Sequence, residues 1–422
     1  MKILILGIGQ SNFLNQLYSE ILRNNDKFQF YINNYFDVSG GKVEVGPLPY
    51  EKTYNFKSEV ITKYDLRKAF FKFLQTKFSW KIIFFEISQN KSYRQIKRIL
   101  FDFARAKHIA EKFINPLDFD IIHFHFCVPE NLKEIYFLNS RIKTVCTFWG
   151  SDLMRLTGVS NVFYMKKALE LTDAITVQTP ELAEILYAKY GRKFNSKLTI
   201  LRFTLGINIF KEIDAHRNNI SLINEFKNKY SIPLNKTVVA LGHNAFPENN
   251  HLLMIEQIKR LSDEQADKFV FLLHLGYGGN ESYSCSLKKI AEITQTLHII
   301  VINDFFNEKE IALFRLSTDI LIQMPVSDAL SAAMTEVLYA GNTVITGAWL
   351  PYGFLRRNGI HFLEIDSFNE LPQALLNSSI QTVRVKNGGN TISIKQLLFP
   401  EITTPPWIQL FKNLVHKGDS FI

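Results

Sequence analysis

Two carboxylates eight residues apart carry the most specific chemistry in the chain. Asp328 stands in the run Ser327-Asp328-Ala329-Leu330, and Glu336 lies inside the helical pattern that follows, Ser331-Ala332-Ala333-Met334-Thr335-Glu336-Val337-Leu338-Tyr339-Ala340. A carboxylate accepts hydrogen bonds from sugar or ribose hydroxyls. The free amides at a helix N-terminus, here those of Leu330, Ser331, Ala332 and Ala333, suit a diphosphate. Read blandly, the same pair is an N-cap aspartate and a surface glutamate. A second candidate is Gly7-x-Gly9-x-x-Asn12, a glycine turn opening a helix and suited to phosphate or sugar at the backbone. Asn12 replaces the third glycine of a dinucleotide fingerprint, which disfavours a dehydrogenase. A third is His123, His125 and Cys127, alternating in a strand and so facing one side, a set that could ligate zinc. No fourth ligand is recognisable nearby, and a strand end feeding a polar cleft explains the histidines more simply. His125, nearer that strand's end, is the better acid–base candidate.

These residues need strands and turns to hold them. An apolar run at 2–6 leads through the glycine turn into Phe13, Leu14, Leu17, Tyr18, Ile21 and Leu22 at helical spacing. Strand patterns follow at 120–126, 144–148, 174–178 and 198–202, and Thr179-Pro180-Glu181 starts a helix. A second series at 237–241, 269–274, 298–302, 320–323 and 343–346 alternates with helical patterns at 252–261, 286–293, 308–316 and 331–340. This alternation predicts an α/β protein with two parallel, doubly wound sheets. The stretch 212–234 is polar and without strand signal, so the expected division is an N-terminal domain 1–215, a linker 216–235, a C-terminal domain 236–400 and a terminal helix within 401–422, its helical pattern starting after Pro405-Pro406. Substrates would bind in the cleft between the domains, at strand C-termini.

With 422 residues, 46% hydrophobic and 21% charged, the chain is not compositionally disordered. Three distant cysteines, Cys127, Cys146 and Cys285, make no disulfide framework and fit a reducing compartment. The opening apolar run is too short for a signal-peptide core, and no run is long enough to span a bilayer. The expected location is cytoplasmic, with peripheral attachment to the inner membrane face. Charge suggests that attachment: residues 51–113 hold 15 Lys+Arg against 6 Asp+Glu and so carry the whole +9 of the chain, while the rest balances. Basic residues there interleave with Phe70, Phe71, Phe73, Phe78, Trp80, Phe84 and Phe85, a composition for anionic lipid; the plainer alternative is a solvated helical face over core aromatics. No nucleic-acid motif is present, and no nucleic-acid partner is expected.

The run from Asp328 to Thr346 resembles the signature of the retaining glycosyltransferases of family 4, E-x7-E followed by an apolar helix, glycine and a strand. The opening strand with its glycine loop, the strand Asp120-Ile121-Ile122-His123-Phe124-His125, the turn Phe148-Trp149-Gly150-Ser151-Asp152-Leu153 and the strand region from Thr172 to Thr179-Pro180 resemble elements of that family in the same order. Gly242-His243-Asn244-Ala245-Phe246-Pro247-Glu248-Asn249-Asn250-His251, with Leu275-Gly276-Tyr277-Gly278-Gly279, looks like bacterial transferases that add N-acetylfucosaminyl-type sugars to lipid-linked intermediates. The resemblance covers most of residues 1–350 and implies the GT-B fold, two Rossmann-like domains facing across a cleft.

By the resemblance, the activity is transfer of a sugar from a nucleotide-diphosphate sugar to a glycan, glycolipid or other surface-polysaccharide acceptor, with retention and with neither metal nor cofactor. Glu336 would hold the donor ribose, Asp328 the donor-sugar hydroxyls, and the amides of residues 330–333 the diphosphate, with His243, Asn244 and Tyr277 on the donor side. Gly9, Gln10 and Ser11 would face the phosphate or the acceptor, Trp149 and Asp152 the acceptor, and His125 is the candidate catalytic histidine. Three departures stand out. The first carboxylate is the shorter Asp328, Trp149 replaces a histidine before the glycine, and the Arg and Lys expected after the first strand of the second domain are missing. Positive charge for the diphosphate must then come from His243, Arg202, Arg356, Arg357 or helix dipoles. The alternatives are an inverting transferase or nucleotide-sugar epimerase on this fold, or a non-catalytic peripheral membrane protein that binds glycan or nucleotide.

Overall fold

In the computed structural model, residues 1–34, 48–56, 62–204, 206–378 and 389–416 are described. They form two compact units. Unit 1 comprises the described residues up to Phe203 together with those from Thr403 onward, and unit 2 is Thr204–Ile402.

Unit 1 is built on a seven-stranded sheet in the order β3-β2-β1-β4-β5-β6-β7. The strands are β1 (Lys2–Leu6), β2 (Gln29–Asn33), β3 (Tyr50–Tyr54), β4 (Ile121–His125), β5 (Lys143–Thr147), β6 (Ala174–Val177) and β7 (Leu198–Ile200). Every pairing is parallel, with Ile3 beside Ile121 and Ile121 beside Lys143. A parallel sheet covered on both faces needs apolar residues in succession rather than alternation, and Ile3, Leu4, Ile5 and Leu6 are all fully buried. Unit 2 holds a six-stranded sheet, β10-β9-β8-β11-β12-β13. Its strands are β8 (Thr237–Leu241), β9 (Phe269–His274), β10 (Ile299–Ile302), β11 (Ile320–Gln323), β12 (Thr343–Gly347) and β13 (Leu363–Ile365), again all parallel. Both sheets reverse their winding once, between β1 and β4 and between β8 and β11. The crevice at such a switch point, beyond the strand C-termini, is where this architecture places ligands.

Three strands carry no clear signal in the sequence: β2, β3 and β13. β3 is an edge strand, Tyr-Glu-Lys-Thr-Tyr, with no buried residue, and β13 spans three residues at the other sheet's edge. The division also falls elsewhere than expected. The units part at Phe203/Thr204, and the stretch 216–235 is not a linker: it carries the helix Ile220–Lys229, whose Ile223 and Phe226 enter the unit 2 core. The terminal helix runs Pro400–His416, through Pro405 and Pro406 rather than after them; position 417 lies outside the described residues. Prolines remove backbone donors, so packing must hold the helix. Trp407 and Phe411 are fully buried in the unit 1 core, and Trp407 Nε1 donates to the Arg202 carbonyl at 2.9 Å.

Between β3 and β4 lie α1's successors in the chain. With α1 (Asn12–Asn24) packed on the sheet, α2 (Lys63–Leu74), α3 (Lys77–Ser88) and α4 (Tyr93–Ile109) form a satellite cluster around Phe73, Ile82, Leu100 and Phe103. Each is capped by a side chain, Thr62, Thr76 and Ser92 in turn, accepting from the third residue on.

Candidate functional site

In unit 2 the loops on the two sides of the switch point converge. β11 ends in Gln323, fully buried, whose Nε2 donates to Asp328 Oδ2 at 3.3 Å and whose Oε1 accepts from His243 Nδ1 at 3.1 Å, from the loop after β8. Asp328 Oδ2 also accepts from Tyr352 Oη at 3.0 Å, a hydroxyl that burial keeps protonated. With its proton on Nδ1, His243 offers Nε2 only as an acceptor, and burial lowers its pKa against the opposing pull of Asp328. His243 is therefore neutral and does not supply the positive charge expected of it.

A buried positive charge in this region belongs to a residue the motif does not contain. Arg315, on the helix Glu308–Ser317, is 5% exposed and its Nε donates to Glu336 Oε2 at 2.9 Å. Glu336 is buried too; burial raises its pKa and Arg315 holds it down. The Arg315 charge also reaches His243, His274 and Tyr277. Arg356 instead pairs with Glu364 at the surface, and Arg202 belongs to unit 1. Glu336 thus lies within the helix Ala332–Tyr339 facing inward, not at the surface. Its N-cap Ser331 accepts from the Met334 amide at 3.1 Å, with Leu330 and Ala332 half-buried and Ala333 buried. Asn244 is largely consumed by its own loop: Oδ1 accepts from the Phe246 amide at 3.0 Å and Asn249 Nδ2 at 2.6 Å. Its side chain also meets that of Tyr277, which is 39% exposed.

In unit 1 the switch-point residues are arranged differently. Gly7 has φ +108°, and a Cβ there would lie 1.8 Å from the His125 carbonyl oxygen, so only glycine lets β1 leave beside β4. Gly9 is buried; Gln10 is tied to Asn34 (N to Oδ1, 3.1 Å) and Thr53 (Nε2 to Oγ1, 3.3 Å), and Ser11 caps α1. His125 is fully buried with both ring nitrogens engaged. Trp149 Nε1 can only donate, and it donates to His125 Nδ1 at 3.2 Å. That single fact sets every proton behind it. His125 Nε2–H donates to Tyr18 Oη (2.7 Å), Tyr18 donates to His123 Nδ1 (2.9 Å), His123 Nε2–H donates to Thr147 Oγ1 (2.6 Å), and Thr147 meets Thr176 at 2.6 Å. Both histidines are neutral, His123 with a pKa lowered to about 3 by burial and His125 lowered by burial and by His123. The His125 expected as a catalytic group is thus sealed in the interior here, its Nδ1 holding the Trp149 indole.

Asp152 likewise differs from an acceptor-lining residue. It is 2% exposed and receives the amides of Cys127 (2.7 Å), Trp149 (2.9 Å), Gly150 (2.8 Å) and Leu153 (3.0 Å), binding the ends of β4 and β5 together. Burial pushes its carboxyl up to about 6 against those bonds. Trp149 is the half-exposed member, its ring 4.9 Å from that of Phe203 and edge-on to Phe13. Cys127 Sγ meets the carbonyls of Phe124 and Thr147, and no metal-binding group of three is present among the described residues. Sequence reasoning missed Arg315, Gln323 and Tyr18. A signal for the first existed in Leu313-Phe314-Arg315-Leu316, a charge set inside an apolar helical run.

No protein-family model matches the sequence, and no curated protein matches it. Solved structures do. A glycosyltransferase from Rickettsia africae ESF-5 superposes with a TM-score of 0.68 at 13% identity, covering 98% of each chain. An α,α-trehalose-phosphate synthase (UDP-forming) from Burkholderia vietnamiensis gives 0.67 at 8% identity over 98% of this chain and 100% of the other. A trehalose-6-phosphate structure from E. coli bound with UDP-2-fluoro glucose gives 0.65 at 12% identity over 98% and 99%. The fold is therefore that of GT-B glycosyltransferase structures, two Rossmann-like α/β units.

Proposed function

We propose that the protein is a glycosyltransferase of the hexosyltransferase type, moving a sugar from a nucleotide-diphosphate sugar to a glycan, glycolipid or other surface-polysaccharide acceptor with retention of configuration. One observation carries this reading: His243 and Asp328, from the loops after β8 and β11, meet on Gln323 of β11, and beside them Arg315 of the Glu308–Ser317 helix pairs with Glu336 of the Ala332–Tyr339 helix, its charge reaching His243 and Tyr277. Fold neighbours that form UDP or hold a UDP-sugar analogue support it.

In this reading the amides of residues 330–333 receive the diphosphate, and the buried Arg315 guanidinium offsets its charge without a metal. Glu336, held by Arg315 through Oε2, offers Oε1 to the ribose. Asp328, fixed by Gln323 and Tyr352, takes a donor-sugar hydroxyl, while His243, Asn244 and Tyr277 shape the donor pocket. On unit 1, Gly9, Gln10, Ser11 and Trp149 meet the acceptor or the phosphate. His125 orients Trp149, and Asp152 fixes its loop. The bond from the anomeric carbon to the diphosphate oxygen breaks, and a bond to the acceptor oxygen forms on the same face. The acceptor proton passes to the departing phosphate, so no side-chain base is needed, which agrees with a sealed His125. Rate enhancement then rests on placement and preorganised donors.

Thermal shifts with UDP, GDP, ADP, CMP and dTDP test the first step, since a ligand at about 100 times its Kd stabilises by about 2.7 kcal/mol. Glu336→Ala is expected to abolish transfer in folded protein; transfer at the parent rate would overturn the assignment, and product NMR reads retention. One other reading, a nucleotide-binding protein without transfer, would be selected by binding with no product.

A further inference from the structure

Helices α2 and α3 turn outward a surface that no described residue covers. On α3, Trp80, Phe84 and Ile87 recur at i, i+4 and i+7, and they are 52%, 68% and 56% exposed, with Lys77 and Lys81 on the same face. The opposite face is already satisfied: Ile82 is buried and Phe85 stacks on Phe163 at 3.9 Å. α3 is thus apolar on both sides, a pattern that suits burial on both. α2 repeats the theme, Phe71 being 65% exposed on the face that bears Arg67, Lys68 and Lys72. None of Arg67, Lys68, Lys72, Lys77 and Lys81 forms an ion pair among the described residues. These cations lie in the stretch that holds the entire net charge of the chain.

We propose that the α2–α3 face is an interfacial docking surface for an anionic phospholipid bilayer. The charge complementarity decides the occupant. Aromatic and aliphatic side chains beside lysines that form no ion pair among the described residues fit the headgroup–acyl boundary, where rings enter the apolar layer and ammonium groups meet lipid phosphates. A second copy of the same face would bring lysine against lysine. No described helix is long and apolar enough to cross a membrane, so this contact lies on the surface.

The experiment is sedimentation of the full chain with vesicles of phosphatidylcholine alone or mixed with phosphatidylglycerol. Binding is expected only with phosphatidylglycerol, and to weaken as salt rises. Substituting Lys68, Lys72, Lys77 and Lys81 together with Gln should weaken partition roughly a thousandfold at low salt. Trp80→Ser with Phe84→Ser should remove most of the remainder; both variants replace exposed groups, and unchanged melting confirms the fold. Equal binding to both vesicle types, no binding, or unchanged partition of the variants would overturn the proposal. So would a concentration-dependent dimer abolished by the Trp80/Phe84 variant, or an RNA that outcompetes the vesicles. The readout needs no nucleotide or transfer, so it stands apart from the enzymatic reading.

Discussion

Behind the switch point of the first sheet stand His125, Tyr18, His123, Thr147 and Thr176, all buried, all neutral, each hydrogen bond feeding the next. Behind that of the second stand Arg315 and Glu336, buried and charged, with the half-buried Asp328 and His243 in front. The same parallel frame supports both. The neutral chain is complete, because an indole at one end and hydroxyls at the other leave nothing for a ligand to satisfy. The charged cluster leaves carboxylate oxygens and the His243 Nε2 to be met by something else. One edge is satisfied within itself and the other leaves polar atoms open, and each difference can be broken by mutation.

The largest effect is expected at the ion pair. Arg315→Leu strands the Glu336 carboxylate in the interior, a loss of about 3–5 kcal/mol. Adding Glu336→Leu should restore most of it, since two apolar residues cost neither charge. Urea denaturation of the two single variants and the double variant measures the coupling. A loss below about 1 kcal/mol for Arg315→Leu would mean that water reaches the pair and the contrast between the two units is false.

Acid should weaken both units next. His123 and His125 have folded pKa values below their ordinary value near 6.5, so between pH 6.5 and about 3 the unfolded chain binds more protons than the folded one. The contribution of these two histidines is therefore nearly flat above pH 6.5 and falls as pH drops below it, by about 3 kcal/mol at pH 5.5 for the two together, while Asp152, pushed up to about 6, opposes part of that loss. His251 and His274, lowered by burial to about 4, act in the same direction in unit 2. Melting curves against pH check the sign; a His123→Gln variant should lose about 1.4 kcal/mol less at pH 5.5. Tyr18→Phe is smaller still. It leaves His125 Nε2–H and His123 Nδ1 without partners, about 2 kcal/mol, and it frees Trp149 only indirectly, so nucleotide binding in unit 2 should be unchanged.

The frame was legible where burial is two-sided. β1, β8, β9 and β11 carry three or more consecutive apolar residues and β4 and β12 are mostly β-branched or aromatic, and the alternation of strands and helices implied parallel sheets before any coordinate. β3 was not, because a sheet-edge strand with exposed Glu51, Lys52 and Thr53 looks like a loop. In the site, Asp328, Glu336, His243 and Tyr277 stand in two local segments and a spacing, which a sequence displays. Arg315 meets Glu336 across 21 positions and two different helices, a contact made by packing of the Glu308–Ser317 and Ala332–Tyr339 helices. His125 misleads for the reverse reason. Its place at a strand end suggests reactivity, but whether an imidazole is open or sealed depends on α1 and on the turn carrying Trp149.

The finest test concerns Asp328, whose position depends on two donors. Gln323 is itself anchored, its main-chain carbonyl accepting from Thr346 Oγ1 at 2.7 Å, and the Tyr352 hydroxyl donates to the carboxylate at 3.0 Å. Tyr352→Phe deletes that bond, and the ring remains buried in the same core. The expected loss of stability is about 1 kcal/mol. If Asp328 orients a donor sugar, the same change should weaken the nucleotide-sugar more than the nucleotide alone, because only the sugar meets the carboxylate. Calorimetry with both ligands separates the two. Equal weakening would place Asp328 at the nucleotide, and no weakening would make it a loop-fixing residue like Asp152, erasing the distinction between the two edges.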